Sequence, residues 1–493
     1  MAPPQCILEI NTRVWLHRFV PDTQAQLKDI PQQVIDDWAG RGFDAIWLMG
    51  VWLPSPASQY IAREHEGLRK TYTAAFPEWT ARDVVGSPYA VCGYEVNPAI
   101  GDESQLADFR ERLHSKGLRL ILDFIPNHTA RDHPWVTGHP EYYVNGTAAE
   151  IAHEPDNWFR CATTQGERII AHGRDPHFPG WTDTAQLDYS NPALQAAMRD
   201  VLHRLSRICD GVRCDVAMLI LSSVFAKTWN RQTEEFWPRA IDEVKRSNPD
   251  FSFIAEVYWG MEGELQQMGF DLTYDKPLLD DLADGKPLLR ERFDTPEFQQ
   301  RSRLRFLENH DEPRIASRLD FDRHQAAAVW VFCLPSSRLF YDGQLDGQTV
   351  RPPVQLARVP DHPPDPGIQD FYRRLLPILK RDVIRKGEWS LLAPGAAWVG
   401  NETYHSILGQ SYVWGYEHLR IFVNGSNHRA QCWVPLGINS LTGKELLLRD
   451  LLSSKQYIRD GLEIGVRGLY LDLEPWESQI FECTVQPLAE DKA

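Results

Sequence analysis

Four short runs in the 493-residue chain set acidic, basic and imidazole side chains behind apolar stretches: DFIPNH (123–128), GVRCD (211–215), IAEV (254–257) and ENHD (308–311). In GVRCD, Arg213 and Asp215 are two residues apart, so on a strand both side chains point the same way and the guanidinium can lie beside the carboxylate. A neighbouring cation holds an acid ionised and lowers its pKa, which is the state a nucleophilic carboxylate requires. Glu256 follows Ile254 and Ala255. Burial there, beside an anionic Asp215, would raise its pKa and suit it to general acid work. Two carboxylates pushed apart in this way are the equipment of retaining glycoside hydrolysis, with side chains about 5–5.5 Å apart. The bland alternative is an Arg–Asp–Glu salt-bridge network that only closes a fold.

These residues need elements that present them on one face. Short apolar, β-branched or aromatic runs alternate with helical patterns, and eight read as strands: ILEINT (7–12), DAIWLM (44–49), RLILDF (119–124), DGVRCD (210–215), SFIAEV (252–257), FDLTYD (270–275), LRFLEN (304–309) and SRLFYD (337–342). The segment QLADFRERLHSKG (105–117) is typical of the helices between them, with Leu106, Phe109 and Leu113 on one face and Gly117 at its end. Eight strands alternating with helices predict a (β/α)8 TIM barrel, in which chemistry sits at the C-terminal strand ends. Carboxylates, two histidines and an arginine would then converge at one barrel mouth.

The gap of about 85 residues between the third and fourth strands predicts an inserted subdomain, 129–186. A Pro-rich connector, RVPDHPPDPG (358–367), precedes a helical segment, FYRRLLPILKRDVIRKG (371–387). From 388 onward short alternating runs predict an antiparallel β-sandwich. The expected domains are a catalytic barrel over 1–387, containing the insertion, and a C-terminal sandwich over 388–493.

A net charge of −16 and the lack of any Lys/Arg-rich run exclude the footprint of a binder of nucleic acid or anionic membrane. No stretch approaches the ~18 uninterrupted apolar residues of a membrane helix, and no secretory leader is legible, so a cytoplasmic protein is expected. The eight scattered cysteines form no CxxC pair and read as reduced thiols. Five of the 17 tryptophans, Trp52, Trp135, Trp158, Trp181 and Trp259, fall where loops are expected. Each is either a flat platform for a sugar face or a core residue. The histidines of the insertion (His133, His139, His153, His172, His177) form no HxxxH or HExxH pattern, so zinc is not indicated.

The runs DFIPNH, GVRCDVAM, IAEVYWG and FLENHDEPR, in this order on the third, fourth, fifth and seventh strands, resemble the four conserved regions of the α-amylase family of glycoside hydrolases. SPYAVCGYEVNPAIG (87–101) is similar to that family's second βα loop, and TAQLDYSNP (184–192) to the short region near the end of its inserted domain. The resemblance implies that Asp215 is the nucleophile, that Glu256 is the acid and later the base, and that Asp311 binds the hydroxyls of the distorted sugar. It makes Arg213 the residue that orients Asp215. It gives His128 and His310 hydrogen bonds to sugar hydroxyls, Tyr89 the stacking position under the cleaved glucose, and Asp123 a structural role.

Asn127 and Asp188 match positions that bind a structural Ca2+ in many relatives, with a main-chain carbonyl near Leu219; the other reading is a calcium-free polar link. Where many α-amylases carry Lys-His after the nucleophile, this chain has Met218 and Leu219, which puts recognition of the leaving group in doubt. The LD of TAQLDYSNP leans towards α-1,4 action. The function implied is a retaining hydrolase of α-1,4 bonds in starch- or glycogen-derived chains, with an α-glucan or oligosaccharide as substrate. A transglycosylase or glucoside isomerase with the same residues is the first alternative. A non-catalytic glucan-binding or partner subunit is the second.

Overall fold

The computed structural model describes residues 3–19, 25–286, 293, 296–360, 362–438 and 441–487. Eight parallel strands form a closed barrel in sequence order: β1 (Cys6–Asn11), β2 (Ala45–Met49), β3 (Arg119–Phe124), β4 (Gly211–Cys214), β5 (Ser252–Ala255), β6 (Leu272–Tyr274), β7 (Arg303–Arg305) and β8 (Ser337–Tyr341). Strands such as AIWLM and GVRC are buried at every position, as parallel strands covered on both faces must be. All eight strands expected from the sequence are present. β5 and β7 stop two and four residues short of the expected ends, which leaves Glu256 and Glu308 on the loops beyond them.

By packing, the chain divides into two compact units, one of residues 1–274 and 350–362 and the other of 275–349 and 363–493. In the first unit, β4 lies between β3 and β5, with Arg213 paired to Asp123 on one side and Ile254 on the other. A Cβ at residue 211 would come within 2.6 Å of the Ser252 carbonyl oxygen, so glycine is what allows β4 to start this close to β5. The helix Glu103–His114 buries Leu106, Phe109 and Leu113, and its N-terminus is capped by Asp102, whose side chain accepts from the Gln105 amide. Between β3 and β4 the chain makes an antiparallel neck, His128–Ala130 against Thr184–Gln186, and a hairpin of Trp158–Thr163 with Gly166–Ala171.

The second unit holds β7, β8 and an antiparallel region that begins at Glu388. There, a six-stranded and a three-stranded sheet share a core of Phe422, Val434, Leu448, Leu471 and Phe481, among others. The helical segment expected over 371–387 is two helices, Pro366–Leu379 and Asp382–Lys386, separated where Arg381 is extended. The first starts inside the Pro-rich connector: Pro366 takes the first helical position, where its missing N–H costs nothing, and Asp365 accepts from the amides of Gly367 and Ile368. All eight cysteines are free, and most are buried. No helix among the described residues is long and apolar enough to cross a membrane.

Candidate active site

The site in the first unit is built around Arg213, which is fully buried at the end of β4. Its Nη1 lies 2.6 Å from Asp215 Oδ1 and its Nη2 2.8 Å from Glu256 Oε2, so one guanidinium joins both carboxylates. Three aromatic rings, of Trp47, Tyr89 and Tyr274, stand 5.2–5.7 Å from its centre, and Nε donates to the Tyr274 hydroxyl at 3.3 Å. The delocalised charge is thereby fixed in plane as well as in position.

The backbone continues the strand pattern past the last residues of β4 and β5. The Asp215 amide donates to the Phe124 carbonyl and the Glu256 amide to that of Cys214, which anchors each carboxylate to its neighbouring strand. Glu256 gains two more donors: the Val216 amide at 2.6 Å to Oε2 and the Tyr258 hydroxyl at 2.8 Å to Oε1. Val216 pays for this contact with a left-handed backbone, φ 37°, which is rare for a β-branched residue and typical of strain held at a working site. Ala217, Met218, Leu219 and Ile220 then form a short 3-10 turn and are all buried, so the two residues standing in for Lys-His are packed away.

Burial is the largest influence on Asp215 and pushes its carboxyl up to about 8, against the opposing charge of Arg213 and with reinforcement from Glu256. The expectation of a depressed pKa counted only the guanidinium. With the side chain 9 % exposed and a second carboxylate on the same cation, desolvation outweighs it.

Asp123 accepts from Trp47 Nε1 at 3.1 Å and the Gly50 amide at 3.2 Å, while its own carbonyl accepts from Trp52 Nε1 at 2.7 Å. It fastens the end of β2 to β3. Trp52 is consequently a core residue, 1 % exposed, and not a sugar platform. Trp158 is buried too, Trp135 and Trp181 are half-buried, and Trp259 is exposed, edge-on to His177. His128 is buried, with Trp181 beside it at 5.2 Å between ring centres, and burial brings its imidazole down to about 4, so it is a neutral ring near pH 7. Asp123→Ala would strand two buried donors and should cost about 2–4 kcal/mol, read as a lower denaturant midpoint; an unchanged midpoint would contradict this structural role.

In the second unit, His310 Nε2 is 3.0 Å from Asp311 Oδ2 on the loop after β7. Asn309 Oδ1 accepts from the amides of Asp311 and Glu312, and the buried Glu308 carboxylate accepts from Arg314 and the Ile315 amide, which sets the loop's shape. Of the residues expected from the sequence, Tyr89, Asp123, His128, Arg213, Asp215 and Glu256 come together in the first unit, and His310 and Asp311 pair in the second.

Asn127 and Asp188 do not have the free oxygens a calcium ion needs. Asp188 pairs with Arg231 through Oδ2 and accepts from Ser190 through Oδ1, while Asn127 Oδ1 accepts from Gln186 Nε2 at 3.0 Å. Six to eight oxygen ligands, several of them anionic, are the usual demand of Ca2+. Tyr258, Tyr274 and the Val216 amide were not among the expected site groups. Tyr258 could have been found as the residue two after Glu256, and Tyr274 as a polar aromatic at the end of β6.

The arginine-linked carboxylate pair lies just past the C-terminal ends of adjacent strands, where the chemistry of a barrel sits. The chain belongs to the α-amylase family of glycoside hydrolases: that family's catalytic domain matches residues 38–352. The α-amylase MalA of Haloarcula japonica is 24 % identical over 270 residues, 52 % of this chain and 36 % of that protein. The cyclomaltodextrinase of Geobacillus thermopakistaniensis is 23 % identical over 383 residues, 71 % of this chain and 60 % of that protein. The matched stretches thus span less than two-thirds of either relative. The maltogenic α-amylase AmyB of Thermotoga neapolitana shares the fold, with a TM-score of 0.68 at 19 % identity over 98 % of this chain and 99 % of that one.

Proposed function

We propose that the protein is a retaining α-glucan hydrolase that cuts α-1,4-glucosidic bonds in starch- or glycogen-derived chains. The observation that carries this reading is the single guanidinium of Arg213 shared by Asp215 and Glu256. In the first half-reaction Glu256 gives its proton to the leaving glycosidic oxygen while an oxygen of Asp215 attacks the anomeric carbon, forming a β-glucosyl-enzyme. In the second, Glu256 takes a proton from water, which attacks the same carbon and frees Asp215. Each half-reaction moves the pair's negative charge between the two acids, and a cation in contact with both serves either state. Asp311 is assigned to the hydroxyls of the distorted sugar, His128 and His310 to neighbouring hydroxyls, and Tyr89 to the sugar face.

Relatives named as an α-amylase and a cyclomaltodextrinase support a glucan substrate. The α-1,4 preference rests on the LD of TAQLDYSNP. Eight free thiols suit a reducing compartment, and we place the protein in the cytoplasm on that ground. The test is NMR of the first product released from a maltooligosaccharide: the α-anomer is expected, and an initial β-anomer would overturn the retaining mechanism.

Buried Met218 and Leu219 favour one further reading, in which the glucosyl-enzyme passes to a sugar hydroxyl in place of water. With no Lys-His pair there, these two positions offer the leaving group no polar side chain. The ratio of transfer to hydrolysis products from maltotriose separates the two; background rates with every glucan would leave the binding-subunit reading.

A further inference from the structure

At the junction between the insertion and the barrel, the Asp188 side chain is 7 % exposed. An ionised carboxylate so far from water requires a cation. That cation is Arg231, from the segment that follows the helix Ser222–Trp229. One arm of its guanidinium reaches Asp188 Oδ2 and the other donates to the Asn145 carbonyl at 2.9 Å, inside the insertion. Its neighbours repeat the tie: Thr233 Oγ1 donates to the Tyr189 carbonyl at 2.6 Å, and Gln195 Nε2 donates to Thr233 Oγ1 at 3.1 Å. The remaining oxygens have neutral partners. Gln186 Nε2 serves Asn127 Oδ1, Asn127 O and Leu187 O at 2.9–3.1 Å, and Ser190 serves Asp188 Oδ1.

We propose that Arg231 is the built-in cation of this junction: it fills the role a divalent metal would have at Asp188, fastens the insertion to the segment after β4, and makes the fold indifferent to calcium. A guanidinium suits the task because its planar fork offers one N–H to each of two acceptors that face it from different segments. A metal ion would have to displace it and would meet carbonyls and amides already engaged. The arrangement is independent of the substrate and linkage read above.

The inference is tested on the whole chain by thermal unfolding. In wild-type protein, exhaustive chelation followed by millimolar calcium should move the midpoint by less than about 1 °C. A rise of several degrees with calcium, reversed by chelator, would overturn the proposal. Arg231→Met, Asp188→Asn and the double variant form the second arm. Arg231→Met should lower the midpoint by about 3–8 °C and open the 129–186 segment to limited proteolysis, and the double variant should lose clearly less than the sum of the singles. Additive losses, or an Arg231→Met protein as stable and protease-resistant as wild type, would also overturn it. If Arg231→Met does not fold, Arg231→Lys, which keeps the charge and loses the fork, replaces it in the same cycle.

Discussion

Asp215→Asn and Glu256→Gln should each lower turnover of maltooligosaccharides by about three to five orders of magnitude while the protein stays folded. The first removes the proposed nucleophile and the second the proposed proton donor; neither change alters side-chain shape. The effect on folding has its own sign. Burial raises the Asp215 carboxyl from its ordinary value near 3.8 to about 8, so between those limits the folded chain holds a proton that the unfolded chain has lost. Stability therefore falls as pH rises through that window, because the native state must either keep the proton or bury an anion. The side-chain amide that replaces the carboxyl never titrates. Asp215→Asn should be more stable than wild type by a few °C near pH 8, with the gap closing towards pH 4. Urea midpoints at several pH values provide the check. A variant that loses both activity and stability at pH 8 would show that Asp215 is a structural partner of Arg213, as the salt-bridge alternative holds.

Removal of Arg213 should be the more damaging change for the fold. Arg213→Met leaves Asp215 and Glu256 buried without the cation that joins them, and breaking such a pairing costs about 3–5 kcal/mol. The loss has a pH signature: at pH 5 the buried Asp215 carboxyl escapes it by holding its proton, whereas at pH 8 it has to ionise without its cation. Denaturant unfolding should show a distinctly larger deficit at pH 8 than at pH 5. Equal deficits would assign the loss to packing among Trp47, Tyr89 and Tyr274. Turnover should drop by about 10²–10⁴-fold, since Asp215 loses the cation that orients it and favours its ionised form. Arg213→Lys tests geometry separately from charge. One ammonium cannot span both carboxylates, so lysine should recover part of the stability and little of the turnover.

The parity argument on GVRCD put Arg213 beside Asp215 correctly, because alternation along a strand is a local property that two residues suffice to express. The eight strands were legible for a related reason: parallel strands covered on both faces are apolar at nearly every position. What lay outside local reach was the balance of forces at each group. Arg213, the partner of Asp215, is enclosed by Trp47, Tyr89 and Tyr274 from three other segments, and Glu256 reaches Asp215's cation from just past the next strand, so the weight of desolvation against Coulomb attraction has no trace in the run around Asp215. Trp52 looked like a loop aromatic, and only the carbonyl of Asp123, 71 residues away, explains why it is core. Asp188 read as either a calcium ligand or part of a polar link, and the cation that meets it, Arg231, lies 43 residues on.

The left-handed turn at Val216 has a consequence for how this site drifts in evolution. Its N–H belongs to the main chain, so the donor that steadies Glu256 survives almost any substitution at position 216. Glycine would even relieve the strain, and only proline deletes the hydrogen. Glu256, the proposed acid, is thus buffered against mutation at this one contact, whereas its other partners, Arg213 and Tyr258, depend on side chains that a single codon change can erase.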